Sequence, residues 1–244
     1  MARIKVLMKI LILIICAFKC THCQSQDGNV LELKSADTSI KVSTSAPDLS
    51  ALTACVWVTS TQNRQAAIVS YAVSEEDNEF LMFYDYYPNA FKIHIRGSES
   101  QFHGYTLHDG SWHHVCTTWS SNDGRLAFYH NGVTADKTKY VMAGKMVRGG
   151  GVLVLGQDQD SVGGGFEEHQ AFIGNLTDFN MWSTALNANQ IAMIKADCSI
   201  GGDVFTWNVT ALQIEGDVSQ TNTSGCGELS FPLALIHVDN VMSS

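Results

Sequence analysis

Short apolar runs separated by turn residues dominate the chain, and their length and spacing predict strands. Residues 30–34 and 40–42 alternate apolar with polar positions, residues 54–59 carry Cys, Val, Trp and Val in succession, and residues 80–84 are apolar and aromatic throughout. Val152–Leu155 is a wholly apolar run bounded by glycines, as expected of a buried central strand. Residues 115–119 and 126–129 flank Asn122-Asp123-Gly124, which predicts a hairpin, and Asn131-Gly132 is a second turn signal directly after it. Only residues 187–196 have a convincing helical pattern. Asn187 stands at an N-cap position with Gln190 three residues on, and Ala188, Ile191, Ala192 and Met193 or Ile194 supply the apolar stripe. The pattern as a whole is that of a β-sandwich, without internal repeats or low-complexity segments.

Composition narrows the class. Of 244 residues, 16% are charged, 45% are hydrophobic and three are proline, which describes a folded chain. Residues 1–23 place Arg3, Lys5 and Lys9 before an apolar run ending at Phe18, which reads as a secretory signal, and Lys9 and Lys19 interrupt the run too soon for a membrane span. The formal charge is −9; loss of four of the 15 basic residues and none of the 24 acidic ones takes it to −13. Such a charge opposes nucleic-acid binding and suits a cation-binding protein. Residues 24–227 are then one secreted, extracellular domain, and residues 228–244 a tail too short and polar to anchor in a membrane. Cys16, Cys20 and Cys23 leave with the signal, so Cys55, Cys116, Cys198 and Cys226 predict two disulfides. Three pairings are open, of which the sequence-local one joins Cys198 to Cys226. Asn175, Asn208 and Asn222 head glycosylation sequons.

The chemistry concentrates in residues 156–170, GQDQDSVGGGFEEHQ. Asp158 and Asp160, two apart, point to one side of an extended segment. Gly163, Gly164 and Gly165 permit a reversal that returns Glu167 and Gln170 toward them. Calcium takes six to eight oxygens from carboxylates, amides and carbonyls, and this loop offers all three. Asp77-Asn78 is a second acid–amide pair. A solvated acidic loop is the plainer reading of these residues alone. An EF-hand is excluded because the twelfth position from Asp158 is His169, and no phosphate-binding glycine motif is complete.

Residues 114–121 read HVCTTWSS and satisfy H-x-C-x-[ST]-W-x-[ST] at every specified position. On that motif, on LGQDQDSVGGGFE and FNMW, and on the triplet Asp77-Asn78-Glu79, the chain resembles the pentraxin family over roughly residues 30–218. The resemblance implies an all-β, two-sheet antiparallel jelly-roll sandwich of lectin-like type with one short helix. It further implies a Cys55–Cys116 disulfide, two calcium ions per subunit and a homopentamer. Carried over residue by residue, the calcium ligands are Asp77, Asn78, Asp158, the Gln159 carbonyl, Asp160, Glu167 and Gln170. Their four carboxylates balance two Ca²⁺ ions. Asp158 stands where many relatives have Glu, so its shorter side chain weakens one ion without abolishing the site. Cys198 and Cys226, absent from the short serum members, are similar to the additional terminal pair of the neuronal ones; the long extension preceding the domain in those relatives is missing, and the tail has no counterpart.

The function the resemblance implies is calcium-dependent pattern recognition of the innate-immune, acute-phase kind. Phosphocholine or a related phosphorylated ligand, such as phosphoethanolamine or a phosphorylated polysaccharide, would be bound on microbial or damaged-cell surfaces. Phe83 and Glu99 match the residues that contact the choline methyls and the quaternary nitrogen, with one residue inserted between them. His94 replaces a small residue, and its bulk narrows the pocket toward phosphoethanolamine or another small head group. The residues alone equally allow Phe83 as core packing and Glu99 as a solvated carboxylate. The alternative is a laminin-G-like adhesion or carbohydrate-binding module without phosphocholine specificity, which shares fold and calcium but not the motif around Cys116. An enzyme is not expected, since no hydrolase or zinc-protease motif is present, and the histidines read as surface or structural.

Overall fold

The computed structural model describes residues 29–43, 45–135 and 137–221. The expected signal, Asn222, Cys226 and the tail lie outside the described residues. In chain order the strands are β1 (Val30–Leu33), β2 (Ser39–Val42), β3 (Ala51–Thr59), β4 (Ala66–Val73) and β5 (Glu76–Asp85). There follow β6 (Ala90–Ile95), β7 (Ser98–His103), β8 (His113–Ser120), β9 (Arg125–His130), β10 (Val133–Thr134) and β11 (Lys139–Tyr140). Last come β12 (Val152–Leu155), β13 (Gly174–Trp182), β14 (Leu212–Glu215) and β15 (Val218–Thr221), with helix α1 (Ala188–Ala196) between β13 and β14.

These form two antiparallel sheets, one ordered β10-β9-β8-β3-β13-β1-β15 with β11 also on β9, the other β14-β2-β12-β4-β5-β6-β7. Between them lies the main core. Phe80, Met82 and Tyr84 of β5 and Phe91, Ile93 and Ile95 of β6 join Val56, Val58, Trp119 and Phe128 of the facing sheet in one buried cluster. The intervening Leu81 and Phe83 form a separate buried cluster with Ala67. Burial on both faces explains why residues 80–84 read as apolar throughout, since a strand covered on one side only alternates.

The hairpin and helix follow the sequence signals closely. Gly124 has φ +74° and the Asp123 carboxylate accepts the Arg125 N–H at 3.0 Å, closing β8 onto β9. Asn131 and Gly132 both have positive φ, 53° and 80°, as a two-residue type I′ turn requires. The Asn187 side chain accepts from Asn189 and Gln190 N–H while Gln190 accepts from the Asn187 N–H, a complete capping box. Ile191 and Ile194 are the buried stripe, packed on Cys55, Cys116, Tyr129 and Trp182; Met193 faces solvent. Cys55 stands directly opposite Cys116 in the β3–β8 register, and the two form a disulfide beneath the helix. Cys198 is also disulfide-bonded. No helix among the described residues is long and apolar enough to cross a membrane.

Candidate metal centre

The Gly156–Gln170 loop begins where β12 ends and is anchored to β4 at both ends. The Gly156 N–H donates to the Ile68 carbonyl at 3.2 Å, the Phe172 N–H returns to the Gly156 carbonyl at 2.9 Å, and Ala171 bridges Ala67. Within it Ser161 and Gly164 pair, and Gly165 turns at φ +74°, where a Cβ would press on the Asp160 backbone at 3.0 Å. The short 3-10 turn Glu168–Gln170 follows that reversal, and the Glu167 carboxylate acts electrostatically on both Asp158 and Asp160. The Gln159 side chain is wholly used in holding the loop: its amide donates to the Ser70 and Val152 carbonyls at 2.9 and 3.0 Å, and its oxygen accepts the Gly163 N–H at 2.7 Å. The Gln159 side chain is therefore committed to the loop, and its main-chain carbonyl is the oxygen that remains.

Asp77 and Asn78 enter from the first residues of β5. The Asn78 amide nitrogen donates to Asp77 at 3.2 Å, which leaves its oxygen free. Three atoms then stand out: Asn78 Oδ1, Asp158 Oδ1 and Gln170 Oε1 are buried and accept no hydrogen bond. Buried acceptors are normally paired, and three unpaired ones on three expected ligands fit a cation held by oxygens. Burial pushes the Asp158 carboxyl up to about 6, with Asp160, Asp77 and Glu167 adding repulsion. The Asp160 carboxyl is raised for the same reasons, burial first and then Glu167 and Asp77. Mutual repulsion of this kind is relieved by a bound divalent cation. Asp160 and Glu167 are exposed while Asp158 is buried, so the cluster is closed below and open outward.

Sequence reasoning missed the support beneath. Glu79, 0% exposed, accepts the Arg148 backbone N–H at 2.6 Å and its Nε at 3.0 Å, with Arg148 Nη2 on the same carboxylate and Arg96 Nε at 3.9 Å. The only signal was a charged residue opening an apolar run. Arg148 thereby ties the β11–β12 connection to the segment that carries Asp77 and Asn78.

The expected ligand-pocket residues share one face of the β4–β7 sheet. Ser70, Leu81, His94 and Glu99 stand opposite one another across four strands, and Ala67, Phe83, Lys92 and Gln101 form the next row. Phe83 is only 6% exposed and Leu81 2%, so the aromatic presents no open wall. Lys92 pairs with Asp85 at 2.7 Å, and His94 Nε2 lies 3.5 Å from Glu99.

Other candidates are structural. The donor atoms of Cys55, His114 and Cys116 lie within 4.8 Å of one another, but the cysteines are bonded to each other and burial pushes the His114 imidazole down to about 3. His113 joins Asp109 and His130, both at 2.9 Å. Asn175 is half-buried at the start of β13, whereas Asn208 is exposed and its side chain accepts the Thr210 N–H and hydroxyl at 3.0 and 2.8 Å.

Fold and loop together define a lectin-like β-sandwich bearing an oxygen-rich cluster on one sheet face. The chain belongs to the Pentaxin family, whose model matches residues 32–221. It is 32% identical over 194 residues to human neuronal pentraxin-1, covering 78% of this chain and 44% of that protein. To human adhesion G protein-coupled receptor D2 it is 35% identical over 192 residues, 76% of this chain and 20% of the receptor. The chain thus spans less than half the length of these curated relatives. Among solved structures it resembles the native heptameric SAP-like pentraxin from Limulus polyphemus, with TM-score 0.72 and 26% identity over 80% of this chain and 94% of that one. The family generally binds calcium.

Proposed function

We propose that this chain is a secreted, calcium-dependent recognition protein that binds phosphorylated ligands on microbial or damaged-cell surfaces. The observation that carries the reading is the set of unpaired buried oxygens on Asn78, Asp158 and Gln170. Two calcium ions per subunit are held by these three residues with Asp77, the Gln159 carbonyl, Asp160 and Glu167. Bound there, the ions supply Lewis-acidic positions that phosphoryl oxygens fill, which lets a strongly acidic chain attract an anion. The solvent exposure of Asp160 and Glu167 keeps that side of the cluster reachable. Family membership supports binding rather than catalysis.

Subunits assemble into a closed ring of five. The heptameric relative supports oligomerisation as such, and light scattering reads the subunit number. The ligand is tested on immobilised phosphoethanolamine and phosphocholine. In calcium the protein is retained by at least one of them, and a chelator elutes it. Passage through both columns by calcium-loaded protein would replace the phosphoryl ligand with a carbohydrate or protein partner.

A further inference from the structure

Residues 104–112 carry the chain from β7, at the edge of one sheet, to β8 inside the other. Val115 and Phe128 belong to the main core, so by strand alternation His113 and His130, each two residues away, face the same interior at its rim. His113 is 5% exposed, and its ring stacks on that of His130 with centroids 5.0 Å apart. Tyr105 of the connection packs edge-on against the His130 ring at 5.2 Å.

The side chains here fix one another's protons. The Ser111 N–H at 2.8 Å, and then His113, hold the Asp109 carboxyl below its usual range, so it is an anion. That anion lies 2.9 Å from His113 Nε2 and assigns a ring proton there, which leaves His113 Nδ1 to accept the His130 Nε2–H at 2.9 Å. Two neutral rings satisfy this chain of bonds. Two imidazolium rings cannot, because both facing nitrogens would carry protons. Burial pushes the His130 imidazole down to about 4, with His113 and Lys195 of α1 adding repulsion and Asp109 opposing them. His114, on the other face of β8, is kept neutral by its own burial, which takes it down to about 3.

We propose that the Asp109–His113–His130 chain is an acid-sensitive latch, which holds the 104–112 connection and the β9–β10 turn against the core at neutral pH and releases them when both rings are charged. A histidine depressed in this way stabilises the closed form fully above its ordinary value of about 6.5, and the contribution is lost as pH falls from there through about 4. Release uncovers Tyr105 and Leu107, the latter 1% exposed when closed. The latch shares no residue with the calcium cluster.

Hydrogen exchange of the calcium-free full chain, corrected for the intrinsic pH dependence of exchange, tests this at about pH 7.5 and about pH 5. The variant is His130→Gln, whose side-chain amide can donate to His113 Nδ1 and does not titrate. In wild type the amides of residues 104–108 are expected to open about 30-fold more at the lower pH, the ratio given by a fall from about 6.5 to about 4. Amides of β5 and β6 are expected to change by under about threefold, and in His130→Gln the connection is expected to do the same. Nuclear magnetic resonance titration of the wild-type ring protons is a second reading that does not depend on the variant, with His130 expected to titrate well below its ordinary value. A rise shared equally by β5 and β6, a rise that His130→Gln retains in full, or an ordinary titration of His130 overturns the latch.

Discussion

Asp160→Ala and Glu167→Ala each lower calcium affinity by about 100-fold or more in titrations of chelator-treated protein, with the fold retained. Both side chains are exposed, so their loss removes the proposed ligands without opening the core. In the proposed site each substitution also leaves three carboxylates to neutralise two divalent ions. The same titration carries a pH signature. In the ion-free protein Asp158 holds its proton up to about pH 6, above its ordinary value, because it is buried among other carboxylates. Its contribution to ion-free stability is therefore complete below about pH 4 and lost as pH rises through about 6. Calcium must displace that proton at pH 5 but not at pH 7, so its affinity rises across this interval while the stability of the ion-free chain falls.

Arg148→Ala lowers the stability of the ion-free protein by about 3 kcal/mol in urea denaturation and weakens calcium binding as well. The cost comes from Glu79, which is fully buried and would keep only the backbone N–H at residue 148 and the distant Arg96. Arg96→Ala is the control. Its Nε lies 3.9 Å from the same carboxylate and its side chain is partly exposed, so its loss costs under about 1 kcal/mol. Equal effects of the two substitutions would show that Glu79 draws on the arginines as a diffuse charge pair and not on the close contacts with Arg148.

The legible parts of the fold are those where local chemistry and tertiary packing agree. Asn187 and Gln190 specify their capping box whatever the rest of the chain does, and Asn131-Gly132 specifies its turn. Strands β4, β6 and β7 carried no comparably clear local signal: Lys92 and His94 break the apolar run of β6, and Ser98–His103 is largely polar because it lies at a sheet edge. At the candidate site, the spacing of Asp158, Asp160 and the glycines is a local pattern and could be read directly. The approach of Asp77 and Asn78 could not, because β5 meets the loop only through the sheet order β12-β4-β5. Likewise, Glu79 and Arg148 are 69 residues apart, and no spacing rule connects them. The resemblance placed Phe83 in the pocket, but its burial with Ala67 and Leu81 depends on side chains of two strands and is visible only in the assembled sheet.

The measurement that tests the calcium site most directly is the calcium count of the chelator-treated wild-type chain by isothermal titration at pH 7. Two ions per subunit are expected, bound at the cluster of Asp77, Asn78, Asp158, Gln159, Asp160, Glu167 and Gln170. Absence of binding, or binding that Asp160→Ala and Glu167→Ala leave unchanged, would contradict this and return residues 156–170 to a solvated acidic loop.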